Sequence, residues 1–181
     1  MENILRFEQY ILKESRHYDY GCLMLDINWY DVAGHPWTNI LNLIDKNDLY
    51  QPETERYGLE DQPHITALYG LHEEVDEQSI KEKLGDPLTM PIDLKIMDIS
   101  LFENKDYDVV KIGVKSPQLT KINSLLRELP HTNDYPEYNP HITVAYLKKG
   151  FGQKYKKKLS VSARVNPNFT LSLVNSDKIK I

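Results

Sequence analysis

Cysteine and long apolar runs are both scarce in this chain of 181 residues. Cys22 is the only cysteine, which excludes an internal disulfide and the paired thiolates of a structural zinc site, and fits a reducing compartment. No apolar run is long enough to span a membrane, and the first residues lack the apolar core of a signal peptide. We therefore expect a cytoplasmic protein with no membrane partner.

Several common catalytic motifs are also missing. The sequence contains no His-Glu-x-x-His, no glycine-rich phosphate loop and no Gly-x-Ser-x-Gly elbow. The corresponding metalloprotease, P-loop and serine hydrolase hypotheses are therefore disfavoured. The residue pattern requires no metal and no cofactor.

What is present is an ordinary composition, with 40% hydrophobic and 27% charged residues. The length fits one domain, or two small lobes that share a sheet, so we expect residues 1–181 to form a single domain. Hydrophobic periodicity predicts helices and strands in mixed order, with hairpins, which is typical of an α+β fold. The predicted helices are 3–16, 37–44, 76–84 and 117–129, and the predicted strands are 20–27, 64–70, 88–102, 107–114, 141–147, 161–165 and 169–174.

Two nearly identical stretches organise the chain, Pro63-His64-Ile65-Thr66-Ala67 and Pro140-His141-Ile142-Thr143-Val144. Their histidines are 77 residues apart (141 minus 64). Each stretch is typical of a strand entered through proline, on which His and Thr share one face and the apolar residues share the other. The repeat predicts a duplicated fold whose halves face each other across one cleft.

Two imidazoles and two hydroxyls in one cleft can bind a phosphate and move protons on and off its oxygens. One His-x-Thr is weak evidence, since most lone histidines are structural, but a second copy is hard to obtain by chance. We therefore predict that His64, Thr66, His141 and Thr143 are catalytic. One histidine would be the general base and the other the general acid, in either order, while the threonines hold the non-bridging oxygens.

These motifs resemble those of the 2H phosphoesterase superfamily, which carries two His-x-Thr or His-x-Ser motifs about half a chain apart. The sequence is most similar to the phage anti-CBASS nucleases, in the stretches 20–25, 64–72, 102–110 and 138–148. The resemblance implies a bilobal fold, with two antiparallel-sheet lobes and flanking helices around a central cleft.

The resemblance also implies a substrate. It points to a metal-independent phosphodiesterase that cleaves 3′–5′ bonds of cyclic di- or trinucleotides, and so blocks CBASS anti-phage signalling in the host cytoplasm. Two alternatives stay open: a 2H enzyme acting on linear RNA or 2′,3′-cyclic phosphate ends, and a non-catalytic sponge for cyclic nucleotides. A sponge would not need both histidines, so the intact motifs count against it.

Charge is unevenly distributed. Between Lys148 and Arg164 the chain has seven basic residues and no acidic ones, although its net charge is −5. Because this stretch directly follows the second motif strand, we expect a positive rim beside the cleft that attracts an anionic substrate, with Lys148 as a binding residue. The acidic remainder argues against a duplex nucleic acid partner.

Aromatic residues are the other candidates for substrate binding, because nucleobases stack on such rings. Tyr20, Trp29 and Tyr155 lie near strand ends or in the basic stretch, so we expect them to bind the bases. Tyr69 and Tyr146 each follow a motif histidine by five residues. Regular alternation would turn both away from the histidines, so we assign them to packing.

Overall fold

The computed structural model describes residues 21–28, 37–51, 57–133, 135–158, 161–172 and 178–180. The predicted helix 3–16 lies outside these residues, as do two predicted binding residues, Tyr20 and Trp29. Within the described ranges, no helix is long and apolar enough to cross a membrane.

The described strands form one antiparallel sheet with the order β6-β3-β4-β5-β2-β1-β7-β8. The strands are β1 (Gly21–Asp26), β2 (His64–Leu71), β3 (Ile92–Glu103), β4 (Tyr107–Lys115), β5 (His141–Lys148), β6 (Val161–Val165), β7 (Phe169–Ser172) and β8 (Lys178–Lys180). Each predicted strand is confirmed to within a few residues. Strand β3 begins at Ile92 rather than at 88, because Asp86–Leu88 forms a turn of 3-10 helix around Pro87.

The sheet consists of two lobes joined by a thin seam. The first lobe is β2-β1-β7-β8 and the second is β5-β4-β3-β6, so each has a motif strand at its inner edge. The seam between β2 and β5 has one register pair, Ile65 with Ile142. Beyond it, 49–50 and 57–60 pair with β5 instead, through Leu49 with Leu147 and Leu59 with Ala145. The predicted bilobal α+β fold is confirmed.

Three helices flank the sheet in the described residues: α1 (Trp37–Leu41), α2 (Glu77–Leu84) and α3 (Pro117–Leu126). Helix α3 starts as predicted, with Ser116 accepting a hydrogen bond from the amide of Leu119 and Pro117 in the first turn. It ends at Leu126, three residues earlier than predicted, because the backbone closes into turns there. Helix α3 packs against β2, while α1 packs against β5.

The core lies on one face of the motif strands. Ile65, Ala67, Ile142 and Val144 are all 0% exposed and join one cluster with the buried faces of the helices. Burying an aliphatic side chain of this size contributes about 1.5–3 kcal/mol, so the two strands are anchored firmly on this side. Their opposite face, which bears the histidines and threonines, is left to form the cleft.

Candidate active site

The seam brings the two motifs together in a crossed arrangement. Strands β2 and β5 are antiparallel, and Ile65 pairs with Ile142. The residues one position away on each strand therefore lie beside each other, His64 beside Thr143 and Thr66 beside His141. All four residues, here called the His-Thr quartet, are half-buried, in contrast to the fully buried isoleucines between them. The hydroxyl of Tyr138 also donates to the backbone oxygen of Thr66 at 3.1 Å and ties the two motifs together.

The two histidines have the same ring orientation. Nδ1 of His64 lies 2.9 Å from the carbonyl oxygen of Gln62, and Nδ1 of His141 lies 2.9 Å from that of Asn139. A carbonyl oxygen can only accept, so Nδ1 carries a proton in both rings. Each Nε2 therefore remains to accept a proton when the ring is neutral, or to donate one when it is charged.

The neighbours of His64 in the first lobe are polar and charged. Asp26 of β1 lies directly across the ladder from His64. Its Oδ2 accepts hydrogen bonds from Oγ1 of Thr170 at 2.7 Å and from Nδ2 of Asn168 at 3.3 Å. Asp26, the cross-strand neighbour of His64, thus has its carboxylate held by Thr170 of β7 and by Asn168 just before that strand.

The neighbours of His141 in the second lobe are different. Gly113 occupies the cross-strand position that Asp26 has in the first lobe, and Phe102 meets the His141 ring edge-on at 5.1 Å. Lys111 lies across from Thr143, with its Nζ 3.6 Å from the centre of the Phe102 ring. Burial, helped by the charges of Lys111 and His64, lowers the pKa of His141 despite its bond to the Asn139 carbonyl. Burial also lowers the pKa of Lys111.

Both motif strands contain a β-bulge at the same motif position. In the first lobe Leu23 pairs with Leu68 but Met24 pairs with Thr66, which leaves Ala67 as the extra residue. In the second lobe the same shift between the pairs Val110–Ala145 and Lys111–Thr143 leaves Val144 extra. The freed carbonyls have other partners: Ala67 accepts from Nδ2 of Asn123 at 2.7 Å, and Val144 accepts from the amide of Glu60 at 3.0 Å.

The bulges overturn the expectation that Tyr69 and Tyr146 face away from the histidines. An extra residue reverses the alternation of faces beyond it, so Tyr69 lies opposite Cys22 and Tyr146 opposite Val109. In the first lobe, Cys22 shares a face with Met24, which lies opposite Thr66. In the second lobe, Val109 shares a face with Lys111, which lies opposite Thr143. Both tyrosines are therefore on the cleft face, and Tyr69 is 54% exposed.

The structure places the other predicted binding residues away from the quartet. Lys148 ends β5, seven residues beyond His141 and roughly 20 Å along the strand, where its Nζ donates to the backbone oxygen of Asn47 at 2.8 Å. Tyr155 lines a pocket with Val110 and Val144, on the core face. Its hydroxyl donates to Asp48 and accepts from the amide of Asp45 at 3.0 Å. The predicted roles of Lys148 and Tyr155 in substrate binding have no support in these positions.

The positive rim predicted beside the cleft has no support in the structure, for a related reason. The quartet lies at the start of β5, whereas the basic stretch follows its end. Four of the seven basic side chains also have structural partners: Lys148 donates to Asn47, Lys149 to Asp108, Lys154 pairs with Asp48 and Arg164 pairs with Asp93.

Sequence reasoning missed the residues that make the two histidines unequal. Asp26, Phe102 and Lys111 do not belong to the repeated motif and become neighbours of the quartet only through strand pairing. A partial signal exists for Lys111, which interrupts the apolar run from Val109 to Ile112. No group of three or more His, Cys, Asp or Glu side chains is placed to hold a metal ion in the described part of the chain.

Comparisons with known proteins identify a matching family and several solved structures of similar fold. A family model described as the 2′-5′ RNA ligase superfamily matches residues 44–172. Escherichia coli LigT complexed with 3′-AMP is 16% identical, with 91% of this chain and 95% of that chain covered and a TM-score of 0.57. A structure described as a phosphoesterase is 16% identical over 90% and 95% of the two chains, with a TM-score of 0.55.

A third solved structure is similar at a lower level. Kluyveromyces marxianus Usb1 with uridine monophosphate is 12% identical, over 90% of this chain and 97% of that chain, with a TM-score of 0.50. At these identities the solved structures show a shared fold. A search of curated protein sequences finds no match.

Proposed function

This chain belongs to the 2′-5′ RNA ligase superfamily, whose members are the 2H phosphoesterases, and on that premise we propose that it is a metal-independent phosphodiesterase. The crossed His-Thr quartet carries the proposal. It offers two ring nitrogens and two hydroxyls to one phosphate, with one histidine and one threonine from each lobe. Fixed donors and a proton carrier on each side of phosphorus are what a general acid–base cleavage needs.

The unequal surroundings suggest how the two histidines divide the work. His141, whose pKa is lowered by burial, is the better general base because it stays neutral over more of the pH range. We assign it that role. His64, which lies across the ladder from Asp26, takes the complementary role of general acid.

The attacking group would come from the substrate. A ribose 2′-hydroxyl lies next to the 3′-phosphate, so its proximity replaces a nucleophile on the protein. Nε2 of His141 takes the hydroxyl proton, the 2′-oxygen bonds to phosphorus, and the bond from phosphorus to the 5′-oxygen breaks. Nε2 of His64 protonates that 5′-oxygen, while Thr66 and Thr143 donate to the non-bridging oxygens. The products are a 2′,3′-cyclic phosphate and a free 5′-hydroxyl.

For the substrate class we propose cyclic di- or trinucleotides with 3′–5′ linkages. The likeness to anti-CBASS nucleases in the stretches around both motifs supports this choice. The corresponding role would be to destroy a cyclic nucleotide signal in the cytoplasm of a phage-infected cell. We also propose that residues 1–181 form a single domain.

Linear RNA ends and 2′,3′-cyclic phosphates are the second candidate class. They are favoured by two of the fold neighbours, LigT and Usb1, whose structures contain the mononucleotides 3′-AMP and uridine monophosphate. Both classes use the same chemistry at phosphorus, so only the products can separate them.

The test is a substrate panel incubated with the protein in EDTA, with products identified by mass spectrometry. The panel contains cyclic di- and trinucleotides, linear oligoribonucleotides and 2′,3′-cyclic mononucleotides, and a His64→Ala, His141→Ala double variant is the control. Opening of the cyclic species by the wild type alone supports the proposal. Strict dependence on a divalent metal contradicts the mechanism, and unaltered cyclic nucleotide in a tight complex supports a sponge.

A further inference from the structure

We propose that Tyr69 and Tyr146 are two base-binding platforms, one on each side of the scissile phosphate. The site would then hold two linked nucleosides rather than one terminal nucleotide. This inference rests on the proposed phosphodiesterase function and specifies its substrate as a dinucleotide unit with both bases bound.

The first observation is that the two tyrosines lie at equivalent distances from the quartet. On the unbulged partner strands, Cys22 is two residues from Met24, and Val109 is two residues from Lys111. Two residues of extended strand span about 7 Å. Tyr69 is therefore about one same-face step beyond Thr66, and Tyr146 is the same step beyond Thr143.

The second observation is that these steps point in opposite directions. Strands β2 and β5 are antiparallel at the seam, so Tyr69 lies beyond the Thr66 and His141 end of the quartet, and Tyr146 lies beyond the other end. A phosphate bound by the quartet would have one tyrosine on each flank. The nucleosides attached to its two ester oxygens would leave in these two directions.

The platform at Tyr69 has a fixed backbone and an exposed ring. Gly70 accepts a hydrogen bond from the amide of Thr132 at 2.8 Å, and the backbone oxygen of Tyr69 accepts one from Nδ2 of Asn133 at 3.4 Å. Gly70 has φ +87°, and a Cβ there would lie 1.9 Å from the carbonyl oxygen of Thr132. Only glycine permits this close approach, which holds the strand in place beneath an exposed aromatic ring.

The platform at Tyr146 is part of a tyrosine cluster formed by Tyr50, Tyr57, Tyr107 and Tyr146. The ring centres of Tyr57 and Tyr107 lie 5.2 Å and 5.8 Å from that of Tyr146, and Tyr57 is 38% exposed. These tyrosines lie outside the main apolar core. Burial raises the pKa of Tyr107 and Tyr146, so their hydroxyls are neutral near pH 7 and do not repel an anionic substrate.

Stacking of a base on an aromatic side chain tolerates every base, because each base has a π-face. Two such platforms would favour substrates with a base on each side of the phosphate, as in a cyclic dinucleotide. A 2′,3′-cyclic mononucleotide could occupy only one platform.

The test measures binding by calorimetry, with a 2′-deoxy cyclic dinucleotide as an uncleavable probe. Tyr69→Leu and Tyr146→Leu should each weaken binding by about 10–100-fold, because each removes one stacking ring. Tyr69→Phe and Tyr146→Phe should bind within about threefold of the wild type. Phe151→Leu removes an aromatic residue that is 45% exposed in the turn after β5 and should leave binding unchanged.

A second measurement does not depend on Tyr146→Leu, in case that variant disturbs the cluster. Wild-type protein is titrated with linear 2′-deoxy dinucleotides that lack either the 5′-side or the 3′-side base. Each missing base should weaken binding. Tyr69→Leu should cause no further loss of affinity for the probe that lacks the base expected to stack on Tyr69. Wild-type affinity in both leucine variants, or for both abasic probes, would overturn the inference.

These outcomes separate the inference from the proposed function. If the wild type opens cyclic dinucleotides while both leucine variants bind normally, the platforms are wrong and the phosphodiesterase stands. If both tyrosines are needed for binding but no phosphodiester bond is cut, the platforms stand and the phosphodiesterase is wrong.

Discussion

The two motif strands are nearly copies of each other, yet they face different neighbours. Each carries a histidine whose Nδ1 donates to a carbonyl two residues back, a threonine two residues on and a bulge at the next position. Asp26 lies across the ladder from His64, whereas Gly113 lies across from His141, which also has Phe102 and Lys111 as neighbours. In the proposed mechanism the repeat supplies the groups that bind the phosphate, and the neighbouring residues give the two histidines unequal surroundings.

In the proposed mechanism this inequality has a chemical use. Acid–base cleavage needs one neutral and one protonated histidine at the same pH, which two rings in identical surroundings would reach only as a mixture. Burial and the nearby charge of Lys111 lower the pKa of His141, which suits the histidine that must be neutral. Variants that change one lobe at a time can test this difference between the two histidines.

Replacing either histidine should lower kcat more than any other change. We expect His64→Ala and His141→Ala each to lower kcat by at least about 100-fold, which is the usual scale for loss of a general acid or base. Single-turnover rates with a cyclic dinucleotide would measure the effect. Near-normal turnover in either variant would show that the lobes do not share the chemistry.

Replacing either threonine should lower turnover less than replacing a histidine. Thr66→Val and Thr143→Val remove one hydrogen bond to a charged oxygen, worth about 1.5–3 kcal/mol, and leave both proton carriers in place. Turnover should therefore fall by roughly 10–100-fold. A threonine variant that is slower than both histidine variants would reverse the assigned roles.

Asn123→Ala should lower the free energy of unfolding through the bulge of the first lobe. No side chain has the equivalent role at the bulge of the second lobe in the described residues. Asn123 is 4% exposed, and its amide satisfies the carbonyl of the bulged residue Ala67. An unsatisfied buried acceptor costs about 1–3 kcal/mol of unfolding free energy. Chemical denaturation would measure the loss, with Ser124→Ala on the exposed side of the same helix as control. Equal stability of the two variants would show that the first bulge does not depend on this side chain.

Lys111→Met should give the smallest change, a shift in the pH profile. We expect a bell-shaped profile of kcat/KM whose acidic limb reports loss of a proton from the pair of histidines, chiefly from His141. The charge of Lys111 contributes to the lowered pKa of His141, so its removal should raise that pKa and move the acidic limb to higher pH. Lys115→Met, at the exposed end of the same strand, is the control. A shift toward lower pH would contradict the assignment.

Sequence patterns predicted the fold and the quartet because both depend on local signals. Strand periodicity, the proline before each motif and the cap at Ser116 are visible in the chain, and the repeat identified His64, Thr66, His141 and Thr143. These four lie together at the seam as expected, and the superfamily resemblance is confirmed. The narrower likeness to anti-CBASS nucleases remains a prediction.

What could not be predicted depends on long-range pairing. Regular alternation predicted that Tyr69 and Tyr146 face away from the histidines, and this prediction fails because each bulge adds one residue. Proximity in sequence suggested a role for Tyr155 and the basic stretch, but the two ends of the eight-residue strand β5 are roughly 20 Å apart. The unequal neighbours Asp26 and Lys111 are brought in by other strands, so no spacing within the motifs indicates them.

The central claim is that two histidines, one from each lobe, cleave a phosphodiester through the 2′-hydroxyl of the substrate. The most direct measurement compares a 3′–5′ cyclic dinucleotide with its 2′-deoxy analogue in EDTA, recording both binding and products. We predict that the ribose form is opened to a 2′,3′-cyclic phosphate, while the deoxy form binds and stays intact. Rapid cleavage of the deoxy analogue would show that water attacks directly and would contradict the claim.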